Sequence, residues 1–304
     1  MHARTSEKQK VGYLGPTTDS GPDTTTFGYM AALKHFAAEE GEVELVNLPS
    51  HPDICKEVGQ KKIQFGVVGV ENVIAGMVAE SIRAIEETHG HYGVSIWGEI
   101  VIPIQMFYLS KNPDIKPTKV LSHSTGLEQC SKFINALIQN DVESVVIKST
   151  GEAAYAASQD ETVACIASAR AEEVYGLQRI GDSGNVADNP KNMTRFWILN
   201  KEYGDPSGHD KSCFLVNLEQ TQVGAFQDTL GCFADHGCNL LIAYPISIPG
   251  KPWEYTFLLE YEGHIDDEAI DQAWEELRNR GLCLNPPTFL GSYPSVTSNI
   301  HVPA

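Results

Sequence analysis

Phe214-Leu215-Val216-Asn217-Leu218 reads as a buried β-strand, a short apolar run bounded by polar residues. Ala225 to His236 follows with helical spacing and stops at Gly237, a residue suited to the left-handed turn that ends a helix. Leu240 to Ile246 and Tyr255 to Tyr261 read as two more strands. Asp267 to Arg280 reads as a helix with Ile270, Trp274 and Leu277 on one face. With a short final strand, the order is the split βαβ arrangement of a ferredoxin-like βαββαβ domain over residues 212–297. Many activities share that shape, so the order predicts architecture alone.

Upstream, Lys201 to Lys211 (KEYGDPSGHDK) is polar and carries Gly, Pro and Asp, as a linker between domains does. Before it, residues 8–200 alternate short apolar runs with helical patterns. Val11 to Leu14, Val43 to Leu48, Phe65 to Val70 and Ile100 to Ile104 are predicted strands of one α/β layer. Lys111 to Lys119 reads as a crossing to a second set. There Leu127, Cys130, Phe133, Ile134, Leu137 and Ile138 share a helical face, while Val145 to Ile147 and Val163 to Ala167 are predicted buried strands. Crossings near 98–118 and 180–192 would give two lobes with a cleft between them.

The chain has 304 residues, 42% of them apolar, enough for two packed units. A net charge of −18 repels nucleic acid and anionic membrane, so neither is an expected partner. The N-terminal MHARTSEKQK has no apolar signal core, and no run reaches the ~18 apolar residues of a membrane span. A cytoplasmic protein is expected. Seven scattered cysteines form no C-x-x-C pair, and reduced, mostly buried thiols are the simplest reading.

Six motifs then fall in order along residues 11–196. They are Gly12-Tyr13-Leu14-Gly15-Pro16, Thr26-Phe27 after extra residues, Gly69-Val70-Glu71-Asn72-Val73-Ile74-Ala75-Gly76, Ser122-His123 with Leu127 and Gln129-Cys130, Ala167-Ser168 with Ala171 and Tyr175-Gly176-Leu177, and Asp188 to Phe196 (DNPKNMTRF). Together they resemble the prephenate dehydratase family, whose D-x-P-x-N-x-T-R-F segment the last matches position for position. Gly237-Cys238-Asn239-Leu240, Trp253-Glu254-Tyr255, Glu262-Gly263-His264 and Leu290-Gly291-Ser292-Tyr293-Pro294 resemble the ACT domain attached to many of those enzymes. The resemblance implies an α/β catalytic region of two-lobed, type II periplasmic-binding-protein-like fold, a ferredoxin-like ACT domain, a prephenate-like anionic substrate, no cofactor or metal, and a homodimer or homotetramer.

Prephenate loses carbon dioxide and its C4 hydroxyl, and aromatisation drives the reaction. A protein performing it has to hold two carboxylates and place a hydrogen-bond donor at the leaving oxygen. Resemblance puts Thr194 in that role, with Glu71 and Asn72 positioning it or the substrate. Arg195 offers a fork suited to a carboxylate, or else locks its strand or pairs with an acid. Phe196, Val73 and Met106 are the expected apolar neighbours of the substrate. Amides and hydroxyls near Thr26, Ser122, Ser124 and Thr150 would neutralise the remaining charge at helix N-termini. His123 reads as a structural histidine.

Several stations are rewritten. Gly69 stands where the family has Pro, Val73 where it has Ser, Ser124-Thr125 where it has Pro-Gln, and Met106 where it has His. These edits make the neighbourhood more apolar. In the ACT-like part, Tyr244-Pro245-Ile246-Ser247 replaces the E-S-R-P effector element, and Val223-Gly224-Ala225-Phe226 replaces P-G-A-L. An effector amino acid needs polar partners for its ammonium and carboxylate. The degenerate site at Gly224, Ala225, Asn239 and Leu240 therefore predicts weak or absent phenylalanine feedback. Dehydratase activity is the leading expectation, with a non-aromatising prephenate decarboxylase, an arogenate dehydratase, and a non-catalytic small-molecule-binding regulator as alternatives.

Overall fold

The computed structural model describes residues 8–15, 17–18, 21–36, 43–218 and 221–296. The first seven residues, Pro16 of the opening motif, and the last expected domain residue, 297, lie outside them. The chain begins with β1 (Gln9–Leu14), a short hairpin of β2 (Thr17–Thr18) and β3 (Gly21–Pro22), α1 (Phe27–Phe36), β4 (Val43–Leu48), α2 (His51–Gly59), β5 (Phe65–Asn72), β6 (Gly76–Met77), α3 (Ala79–Tyr92) and β7 (Ser95–Pro103). It continues through β8 (Phe107–Ser110), β9 (Lys119–Ser122), α4 (Ser124–Gln129), α5 (Ser131–Ile138), β10 (Glu143–Val146), α6 (Thr150–Gln159), β11 (Val163–Ala167), α7 (Arg170–Tyr175) and β12 (Gln178–Arg179), and returns by β13 (Met193–Asn200). The C-terminal part is β14 (Asp210–Asn217), α8 (Ala225–Ala234), β15 (Leu240–Ser247), β16 (Tyr255–Glu262), α9 (Glu268–Arg280) and β17 (Thr288–Pro294).

The first sheet has the order β4-β1-β5-β13-β7, with β6 on β5, and the second the order β10-β9-β11-β8-β12. In the second, β9 runs parallel to β10 and β11, whereas β8 is antiparallel to β11. Alternation along β8 sorts its side chains to two cores. Phe107 and Leu109 face Ala153, Ala154 and Ala157, small residues that bring α6 close. Tyr108, together with Met106, faces Val120, Cys130, Ile134 and Ile166. Two lobes, each an α/β sheet with helices, are what the sequence predicts.

The spacing predicts one helix across Leu127 to Ile138, and there are two. Cys130 breaks the run with φ −119° and ψ 27°. The break has a partner: Asp188 accepts from the Ser131 hydroxyl at 2.6 Å and the Lys132 amide at 3.1 Å, so its carboxylate caps α5.

The C-terminal sheet is antiparallel in the order β15-β16-β14-β17, the strand order of a ferredoxin-like domain. Phe214, Phe233, Leu259, Tyr261, Ile270 and Leu277 fill its core. Phe233 and Tyr261 stack with centroids 3.9 Å apart.

The described residues within 1–54, 67–76 and 101–196 form one compact unit, and those within 55–66, 77–100 and 197–304 the other. α3 and the first part of β7 thus fall in the same compact unit as the C-terminal sheet. Two close backbone approaches show why. A Cβ on Gly204 would strike the Trp97 carbonyl, and one on Gly291, which has φ +147°, would strike the Ile96 backbone. β14 begins with Asp210 and Lys211, the last two residues of the expected linker. Both are buried. Lys211 Nζ lies 2.9 Å from Glu99 Oε1 and 3.6 Å from Glu260 Oε1, and Tyr293 donates its hydroxyl to Glu260 at 2.7 Å. Lys211 thus has buried acids as partners, whereas Asp210 accepts from the Ser207 amide and hydroxyl and from the Gly208 amide. Among the described residues no helix is long and apolar enough to cross a membrane.

Candidate active site

β5 is buried along its first six residues, and its end carries the two polar residues Glu71 and Asn72. β13 begins with Met193-Thr194-Arg195, and the Val73 amide donates to the Met193 carbonyl at 3.0 Å. This brings Asn72 and Thr194, far apart in sequence, side by side. Asn72 Nδ2 donates to Thr194 Oγ1 at 2.9 Å, to Asn192 Oδ1 at 2.9 Å and to the Met193 carbonyl at 3.1 Å. Asn72 Oδ1 accepts from the amides of Ile74 at 2.9 Å and Ala75 at 3.0 Å. Both ends of the Asn72 amide are thus committed, and the side chain has one orientation. Because Thr194 Oγ1 accepts from Asn72, its own proton is directed elsewhere. The half-buried hydroxyl is a donor set in advance.

Next to this pair, Arg195 Nε lies 3.0 Å from Glu71 Oε2, with the arginine buried and the glutamate partly exposed. The ion pair joins β5 to β13 directly beside Asn72 and Thr194. Of the roles open to Arg195, the structure displays pairing with an acid.

The other expected site residues divide. Val73 is exposed immediately after Asn72, and Ser124 is half-buried at the start of α4. Phe196 and Met106, expected beside the substrate, are 5% and 4% exposed. Phe196 packs beneath Gly69, and Met106 sits among Tyr108, Val120 and Ile166. Ser122 is likewise fully buried, and its hydroxyl donates to the Ile166 carbonyl at 2.8 Å, tying β9 to β11. Thr26 donates to the Leu14 carbonyl at 2.8 Å and accepts from the Tyr29 amide at 3.1 Å, anchoring the start of α1. His123 caps α4 through the Thr125 amide at 3.3 Å, a structural role.

Thr150 opens α6, but the cap is Ser149, which accepts from the Glu152 amide at 3.0 Å. The side chain lying against this helix end is Asp23, which the sequence did not single out. Asn192 belongs to the Asp188 to Phe196 motif. It is 1% exposed, and its Nδ2 has no acceptor among the described residues. A cavity of about 500 Å³ in the same unit lies between α1 and α7, lined by Phe27, Met30, Ile102, Phe107 and Arg170 among others, and includes neither Asn72 nor Thr194.

Of the residues expected to form a degenerate effector site, Gly224 takes φ +86° before α8 and Ala225 is buried. Asn239 donates to Glu262 at 3.2 Å, and Leu240 is exposed where the edge strand β15 begins. Tyr244 to Ser247 lie on that same edge strand.

A family model described as prephenate dehydratase matches residues 11–203. A bifunctional chorismate mutase/prephenate dehydratase of Aquifex aeolicus (strain VF5) is 33% identical over 289 residues, covering 95% of this chain and 74% of that protein. Among solved structures, a prephenate dehydratase from Arthrobacter aurescens in complex with L-Phe is 22% identical, with TM-score 0.78 over 95% of this chain and 90% of its own. GqqA, described as a novel type of quorum quenching acylase, is 21% identical, with TM-score 0.77 over 96% of this chain and 100% of its own. At such identities these structures establish a shared fold. The sequence relatives and the match across both lobes establish more: the chain belongs to the prephenate dehydratase family.

Proposed function

We infer that this protein is a carbon–oxygen lyase that converts prephenate to phenylpyruvate with loss of carbon dioxide and water. The observation that carries this reading is the 2.9 Å hydrogen bond from Asn72 Nδ2 to Thr194 Oγ1. In the reaction the bond between the ring and its carboxylate breaks, and that electron pair enters the ring as the C4–oxygen bond breaks. The oxygen leaves as water, so a proton must reach it. Thr194 is a weak acid by itself, and its value lies in presenting an oriented O–H that stabilises the charge growing on the departing oxygen. Asn192 Oδ1 shares the Asn72 Nδ2 donor with Thr194 and helps fix its orientation. Glu71 and Arg195 hold the two strands around this arrangement and act as positioning residues.

The reading carries with it a prephenate-like anion as substrate, a cytoplasmic setting, and a homodimer or homotetramer. Incubating the protein with prephenate and identifying the products tests it. Phenylpyruvate is the expected product, and Thr194→Ala should lower its rate by about 10²-fold or more with the circular dichroism spectrum retained. A non-aromatic dihydro-hydroxyphenylpyruvate would identify a decarboxylase instead, and unchanged prephenate would leave only a binding role.

A further inference from the structure

Between Gly15 and Thr26 the chain forms the β2–β3 hairpin, which leads into Asp23. Asp23 is fully buried. Its Oδ1 accepts from the Thr25 amide at 2.9 Å and the Thr25 hydroxyl at 2.7 Å. Its Oδ2 has no hydrogen-bond partner among the described residues.

The carboxylate lies across the first turn of α6. A Cβ on Gly151 would collide with both of its oxygens, so the second residue of the helix has to be glycine for the acid to fit. Ser149 already takes the Glu152 amide. The Thr150 and Gly151 amides, as the first two of the helix, have no intrahelical acceptor. A helix end of this kind carries partial positive charge and favours an anion. The Asp23 loop is also fastened to the second lobe, because Ser168 donates to the Thr25 carbonyl at 2.8 Å from the end of β11.

In open α/β folds ligands bind beyond the carboxyl ends of the strands. The α6 N-terminus, which follows β10, is such a place, and here it is filled by the protein's own acid. We propose that Asp23 is a specificity-determining residue that occupies the anion seat at the α6 N-terminus and thereby weakens the binding of a substrate carboxylate there. The identity of that substrate rests on the function inferred above. A dianion entering the cleft has either to displace a buried carboxylate or to bind beside it, and both oppose binding. Neutralising Asp23 removes the opposition.

The test compares wild type with Asp23→Asn, which keeps an acceptor for Thr25, and Asp23→Ala, which empties the seat. With prephenate as substrate, KM should fall at least threefold in both variants while kcat stays within twofold. An unchanged or raised KM would make Asp23 a helix cap and nothing more, overturning the proposal. Inorganic sulfate serves as an independent probe. Its stabilisation of Asp23→Ala against thermal unfolding should exceed its effect on wild type, and equal shifts would overturn the proposal. If no form turns over prephenate, the dehydratase reading fails, and the sulfate comparison still decides the role of Asp23.

Discussion

Asn72 spends its whole amide on fixing Thr194, the motif backbone and the turn that follows. Replacing that amide by a carboxylate keeps the shape and reverses one end: an ionised acid at this position would have no N–H for Thr194 Oγ1. Asn72→Asp should therefore cut kcat by about 10²-fold while leaving KM close to wild type, measured by phenylpyruvate formation. A rise in KM with kcat unchanged would instead place Asn72 in substrate binding. This pair was legible in the sequence because each member lies in a contiguous motif. Asp23 was not, since its surroundings come from residues as distant as Ser168, which bonds its loop across 143 positions. The burial of Met106 and Phe196 was not legible either, because a motif names the neighbourhood of a residue and not how deeply it packs.

Among the elements, strands were the most readable, since apolar runs such as Val163 to Ala167 coincide with β11. The ends of helices were less so. Nothing in the spacing of Leu127 to Ile138 announces the break at Cys130, because the acid that caps α5 arrives from Asp188. The C-terminal order was readable from alternation and Gly237, which does take a left-handed turn at φ +76°. Its consequence for regulation belongs to β15. This edge strand carries no charged side chain between Leu240 and Ser247, so it offers an amino acid resting there no ion partner of its own for the ammonium or carboxylate. Millimolar phenylalanine is accordingly expected to leave the melting temperature unchanged. A concentration-dependent rise would reveal a binding site, since a ligand that binds only the folded state stabilises it.

For the molecule as a whole, the buried Glu99–Lys211–Glu260 cluster joins β7 to β14 and β16. Removing the cation alone strands two buried acids. Lys211→Met should cost about 3–5 kcal/mol of stability, read by chemical denaturation. A loss under about 1 kcal/mol would show that water reaches the cluster. The same contacts set an order of events during synthesis. Glu99 emerges from the ribosome 112 residues ahead of Lys211 and 197 ahead of the Val296 amide, which also donates to it. Until nearly the last described residue is made, β7 waits with an acid meant for burial and with the Ile96 backbone not yet covered by Gly291. Pairings of such long sequence separation form slowly and leave sticky surface exposed meanwhile. The second unit therefore cannot be completed before Val296 is made, and the nascent chain is most vulnerable to misassembly while β7 lacks this cover.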